Sequence, residues 1–427
     1  NNGHLVLGNQ ISGSGNYIQG RNTVYMTADI TYTGTTTVGI QSIAGASLRI
    51  GNDTYTGMHG TGDITIQAVT GGNSDMRYHL IADNVVANNI NINANTDVTN
   101  ARNATLLRQG IGNISLNGNI AIGATNSAPG TQRGVIQSEA GGILSLNGTI
   151  TGTGTNNVVR IINNGVVRFG GSTSQTIYGE LLNAGVWLFD NTGTLTLTGP
   201  VIAAVTNVHN GTFNTAHSYL RQGTLVVGTG NVDTIHNDND MHILRGATLN
   251  VAGNETIGLL YVQRGATINI ASGATLTVDD NAAQLVAGSI QGSGNLTLAG
   301  GNYMAMYGSN TATGALNVTN GGLQLKNVAS AIGSFSSITL GGGTTGGKLE
   351  YVGGGETFSG NITLAGTNTT ANAGGSNRIT ANGNGALILN GNITSTAVNT
   401  LQLTGQTGGY FNPITNIING AITQTGG

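Results

Sequence analysis

The densest run of residues able to do chemistry is Asp233, His236, Asp238, Asp240 and His242, with Asn237 and Asn239 between them. Carboxylate and amide oxygens suit a hard cation, and two imidazoles suit a transition metal. The run lacks the glycine and the distal glutamate of a calcium loop, so the preferred reading is a solvated polar loop inserted between structural units. Gly71-Gly72-Asn73-Ser74-Asp75 resembles half of a calcium-binding nonapeptide, but it stands alone where such sites need tandem copies. We therefore assign no metal, no cofactor and no catalytic residue.

Arg221, Arg245 and Arg264 form a second constellation, each lying one or two residues before a glycine that opens an alternating apolar stretch. Arg108 has the same Leu-Arg-Gln-Gly setting as Arg221. If the units that carry them stack in register, the guanidinium groups line one side and can meet anionic sugars or a partner's carboxylates. They form the one candidate ligand or partner face, against the plainer reading of a charged surface that discourages lateral aggregation. Trp187, Phe169 and Phe189 have the composition of a sugar-stacking platform, yet Phe169 and Phe189 match in register and Trp187 shares their parity, so all three are expected inside. Cleavage of a polysaccharide by paired carboxylates needs acids converging on one face. Asp190 and Asp279-Asp280 are too sparse for that. The many Asn-x-Thr/Ser triplets, such as Asn147-Gly148-Thr149, follow from composition.

The elements that hold these residues are short repeats. Asn163-Asn164-Gly165-Val166-Val167-Arg168-Phe169 returns as Asn183-Ala184-Gly185-Val186-Trp187-Leu188-Phe189, and Arg245-Gly246-Ala247-Thr248-Leu249-Asn250-Val251 returns as Arg264-Gly265-Ala266-Thr267-Ile268-Asn269-Ile270. Gly112 to Ile120 is echoed by Gly142 to Ile150 and again by Gly385 to Ile393. A unit of this size cannot bury its apolar face alone and must stack on its copies. Each coil carries at least two strands, since Thr176-Ile177 precedes Gly185 and Thr256-Ile257 precedes Gly265 by nine residues. The expected fold is all-β, a right-handed parallel β-helix (solenoid) with coils of about 19 to 23 residues. Leu249, Val251, Ile268 and Ile270 should point inward, while the alternate Thr and Asn side chains face out or build hydrogen-bonded ladders at the turns. Residues 1–100 are expected to form irregular coils or a cap, with strands at Leu5-Val6-Leu7, Val24-Tyr25-Met26, Ile64-Thr65-Ile66 and Ile90-Asn91-Ile92; residues 101–427 are expected to form one regular solenoid.

Composition narrows the function classes. Charged residues make up only 7% of the 427, and 72 are glycine. The apolar residues alternate rather than scatter, which argues for order despite the low charge. A formal net charge of -3 provides no basic stripe for phosphate contacts, so nucleic acid is not an expected partner. No run is long and apolar enough for a membrane helix, so no insertion by this segment is expected. Asn1-Asn2-Gly3-His4 has no leader anatomy, and a signal peptide is expected outside this chain.

The Gly-x-Leu-x-Leu-x-Gly units, as at Gly294-Asn295-Leu296-Thr297-Leu298-Ala299-Gly300, and the stretch Phe358-Ser359-Gly360-Asn361-Ile362-Thr363-Leu364 resemble the repeats of bacterial autotransporter passengers, the exported part of type V secretion proteins. The resemblance covers about three quarters of the chain. It implies an extracellular or cell-surface location and non-enzymatic structural or adhesive work, with a host or neighbouring-cell glycan or protein as partner. It carries over no catalytic residue. Two alternatives remain beside it: a subunit that self-assembles by stacking its ends, for which the uncapped Thr423-Gln424-Thr425-Gly426-Gly427 prompts either further chain or another copy, and, less favoured, a polysaccharide-active enzyme.

Overall fold

The computed structural model describes residues 5–20, 22–28, 30–39, 46–51, 60–67, 76–81, 83–93, 104–123, 134–153, 159–182, 185–198, 217–229, 234–235, 237, 239–279, 281–326, 334–366, 376–383, 385–395, 400–405 and 416–424. Two compact units divide the chain at Ser218 and Tyr219. Among the described residues every strand-to-strand ladder is parallel, and the architecture is that of a parallel β-helix.

Three ladders build the first unit. One runs from Leu5–Leu7 through Asn22–Met26, Ala46–Ile50, Met76–Leu80, Ala104–Arg108 and Gly134–Ser138 to Val159–Asn163. A second joins Asn84–Val86, Ile114–Leu116, Ile143–Leu146, Val166–Phe169 and Val186–Phe189. The third joins Tyr17–Gln19, Thr36–Val38, Ile64–Gln67, Ile90–Asn93, Ile120–Gly123 and Ile150–Thr153. Successive side chains of a strand alternate between faces, so each ladder stacks like on like. Ile64, Ile90, Ile120 and Ile150 form one such column, fully buried. Each buried isoleucine contributes roughly 1.5–3 kcal/mol relative to exposure. All four strands expected before residue 100 are present and belong to these same ladders.

The second unit repeats the plan. Thr224–Val227, Thr248–Val251, Thr267–Ile270 and Ser289–Gly292 form one ladder. Another runs from Asp240–Ile243 through Leu260–Val262, Gln284–Val286, Tyr303–Met306, Gly322–Lys326, Lys348–Val352 and Asn377–Ala381 to Leu401–Gly405. A third runs from Glu255–Ile257 and Thr275–Val278 to Ile422–Gln424. Leu249 stacks on Ile268 and Val251 on Ile270, all buried, with Thr248, Asn250, Thr267 and Asn269 on the outward side.

Coil length is less uniform than the sequence suggests. Thr248 pairs with Thr267, nineteen residues on, whereas Ser47 pairs with Arg77 and Ala104 with Gly134, each thirty residues on. A parallel ladder constrains only the strands, so corners absorb insertions without breaking the stack. The asparagine ladders expected at turns are present. Asn119 N donates to Asn89 Oδ1 at 3.1 Å, and Thr149 N to Asn119 Oδ1 at 3.1 Å. Asn147 Nδ2 donates to Asn117 Oδ1 at 2.8 Å.

Candidate functional site

The arginine row is built by a turn. Ala247 N donates to Leu244 O at 3.1 Å and Ala266 N to Gln263 O at 3.0 Å, closing two four-residue turns with Arg245 and Arg264 at the second place. The third place is Gly246 or Gly265, each at φ +84°, a left-handed conformation that glycine adopts without a Cβ penalty. Because Thr224, Thr248 and Thr267 are register partners, Arg221, Arg245 and Arg264 each lie three residues before the same column. All three side chains are exposed. The Arg245 side chain lies against the next turn, its Cγ 3.3 Å from where a Cβ on Gly265 would be.

Arg108 does not join them. It is completely buried, donating from Nε to Ser138 Oγ at 3.0 Å and from a terminal nitrogen to Gly110 O at 2.9 Å. Burial draws its pKa below the ordinary arginine value, opposed by the charge of Glu139. The tetrapeptide is the same as at Arg221, but the strand phase differs by one residue. Ala104, Leu106 and Arg108 share the inward parity, whereas Arg221 follows the inward Leu220.

Of the Asp233-to-His242 run, Asp233, His236 and Asp238 lie outside the described residues. Asp240 and His242 share the outward face of Asp240–Ile243. The His242 ring is stacked with Tyr219 at 4.7 Å and tilted against Tyr261 at 5.6 Å, so it forms part of an aromatic ladder. The segment beside it is pinned by Glu255, which is buried and accepts from the backbone amides of Thr234, at 2.8 Å, and Ile235. Gly71 to Asp75 and Asp280 lie outside the described residues. Asp190 is buried and paired with Arg168 at 2.6 Å, and Asp279 is exposed. The aromatic trio is interior: Phe169 stacks on Phe189 at 5.5 Å and 2° and on Trp187 at 6.1 Å and 13°.

Several polar contacts carry no local sequence signal. His79 is buried, and its pKa falls to about 4 through burial first and the charge of Arg49 next, against the hydrogen bond that its Nδ1 donates to Gln109 Oε1. Lys348 Nζ sits 5.7 Å from the Tyr303 ring and Lys326 Nζ 5.7 Å from the Tyr307 ring. Tyr303, Gly322 and Lys348 occupy one register column, and the ring lies over Gly322, where a Cβ would run into it. Lysine therefore reaches the tyrosine two rungs away, across a rung with no side chain.

In comparisons with known proteins, no family model matches the chain and no curated protein is similar to it in sequence. The class defined by the fold is the parallel β-helix.

Proposed function

We propose that this chain is a non-enzymatic structural and adhesive protein of the cell surface or extracellular space, acting as the stalk-like passenger of an autotransporter does. Its partner is a glycan or protein on a host or neighbouring cell rather than nucleic acid or lipid. The observation that supports this best is the register-locked row of Arg221, Arg245 and Arg264, three exposed cations on consecutive rungs beside outward Thr and Asn ladders. A rigid scaffold that repeats one cationic group at a fixed spacing of about 4.8 Å suits multivalent contact with a polyanion. The acids fit the same reading, because several are engaged in holding the scaffold. Glu255 binds backbone amides, Asp190 binds Arg168, and Glu350 accepts from Gln324 at 2.8 Å and Asn382 at 3.1 Å. No helix among the described residues is long and apolar enough to cross a membrane.

Beads coated with the protein should adhere to glycan-bearing cells and detach as salt is raised, and the triple variant R221Q/R245Q/R264Q should adhere at least several-fold less. Adhesion no greater than that of albumin-coated beads would remove the proposal.

A further inference from the structure

The arginine row ends at an open groove. Tyr261 and Val262 pair with Leu285 and Val286, and Thr267 pairs with Ser289. The four residues Gln263 to Ala266 on one rung are therefore matched by only Ala287 and Gly288 on the next. The Arg264-Gly265 turn overhangs this two-residue shelf. Arg245 rests against the glycine of the following turn, whereas Arg264 has no such turn beyond it and lines a groove of about 970 Å³.

Tyr307 forms the far side, with Lys326 over one face of its ring. The lining also includes Gln291 and the hydroxyl-bearing Ser289, Ser309 and Thr311, and among the described residues no carboxylate lines the groove. A guanidinium, a tyrosine ring, a second cation and a set of amide and hydroxyl groups match the parts of an acidic sugar. Arginine pairs with carboxylate bidentately, an aromatic ring packs on the C–H face of a pyranose, and neutral polar groups exchange hydrogen bonds with ring hydroxyls.

The geometry points to this groove as a binding site for a uronate-type acidic saccharide, with its carboxylate on Arg264 and its ring against Tyr307. The inference rests on the adhesive reading and locates its ligand. Ala287 and Gly288 form the floor, Ala287 on the outward side and Gly288 packed against the rung beneath it. A Cβ on Gly288 would already meet the Ala266 carbonyl oxygen at 2.5 Å.

The test uses the full chain, calorimetry with tetragalacturonate, a neutral galactose oligomer and a sulfated galactose oligomer that carries no uronate, and three variants. R264Q should weaken tetragalacturonate binding about tenfold or more, as loss of a charge-assisted pair does. A287W should abolish it while leaving the β-sheet circular dichroism intact, and K348Q, at a cation outside both the arginine row and the groove, should change it less than about twofold. The neutral oligomer should bind far more weakly. Unchanged affinity in both R264Q and A287W would overturn the groove while leaving adhesion standing. Binding of the sulfated oligomer alone would overturn the carboxylate assignment. Failure of the unaltered chain to bind any of the three, with bead adhesion intact, would overturn the saccharide inference and turn the search to a protein ligand; failure of both would remove the adhesive reading as well.

Discussion

His79 holds an imidazole where charge is unwelcome, beside Arg49 and Arg77 and only 2% exposed. Its folded pKa of about 4 lies below the ordinary 6.5, so between those values the unfolded chain takes up a proton that the folded chain refuses. The associated stability is complete above pH 6.5 and is lost as pH falls toward 4. At about 1.4 kcal/mol per unit the loss is at most about 3.5 kcal/mol. Urea midpoints at pH 7 and pH 4.5 should therefore diverge more for the native protein than for H79Q. Equal divergence would show that His79 does not carry this pH dependence. The residue scale is also where sequence is least legible. Arg108 and Arg221 share the same four letters, yet one is sealed and the other exposed, because a one-residue change of strand phase decides which way a side chain points.

At the scale of the strand and turn, glycine serves two purposes that substitution separates. Gly246 provides a left-handed turn with open space around it, so G246A meets only backbone strain of about 1 kcal/mol. Gly148 lies directly over Gly118, and a Cβ there would run into the Gly118 carbonyl. Two rungs cannot part locally without opening the ladder, so G148A should cost about 3 kcal/mol. Thermal melts of the two variants check the difference, and equal losses would contradict the close rung approach. These elements were well marked in the sequence. Alternation identified the inward Leu249, Val251, Ile268 and Ile270, and the turn glycine set their register. The same repeat placed Phe169 on Phe189. What sits beside each outward residue was not marked, because the number of residues per coil varies from nineteen to thirty-one. The approach of Lys348 to Tyr303 across Gly322 and the insertion of His242 between Tyr219 and Tyr261 depend on that variation.

For the molecule as a whole, each unit is a stack whose stability comes from repeated columns, and its outer surface is free to vary. The candidate site reflects this division. The arginine row was legible because it belongs to the repeat. The groove at its end was not, because it arises where the repeat shortens by two residues between Val286 and Ser289. Under the proposed function, a surface of this kind would hold ligands through many weak, register-spaced contacts rather than by converging reactive groups.

Under the proposed function, such contacts bind and do not cut. The direct measurement is to incubate the protein with immobilised polygalacturonate and follow retained protein and new reducing ends in the same reaction. Retention that is reversed by salt, with reducing ends no higher than in the buffer control, is the predicted result. Release of new reducing ends in proportion to protein and time would contradict the claim and identify the chain as a polysaccharide-cleaving enzyme.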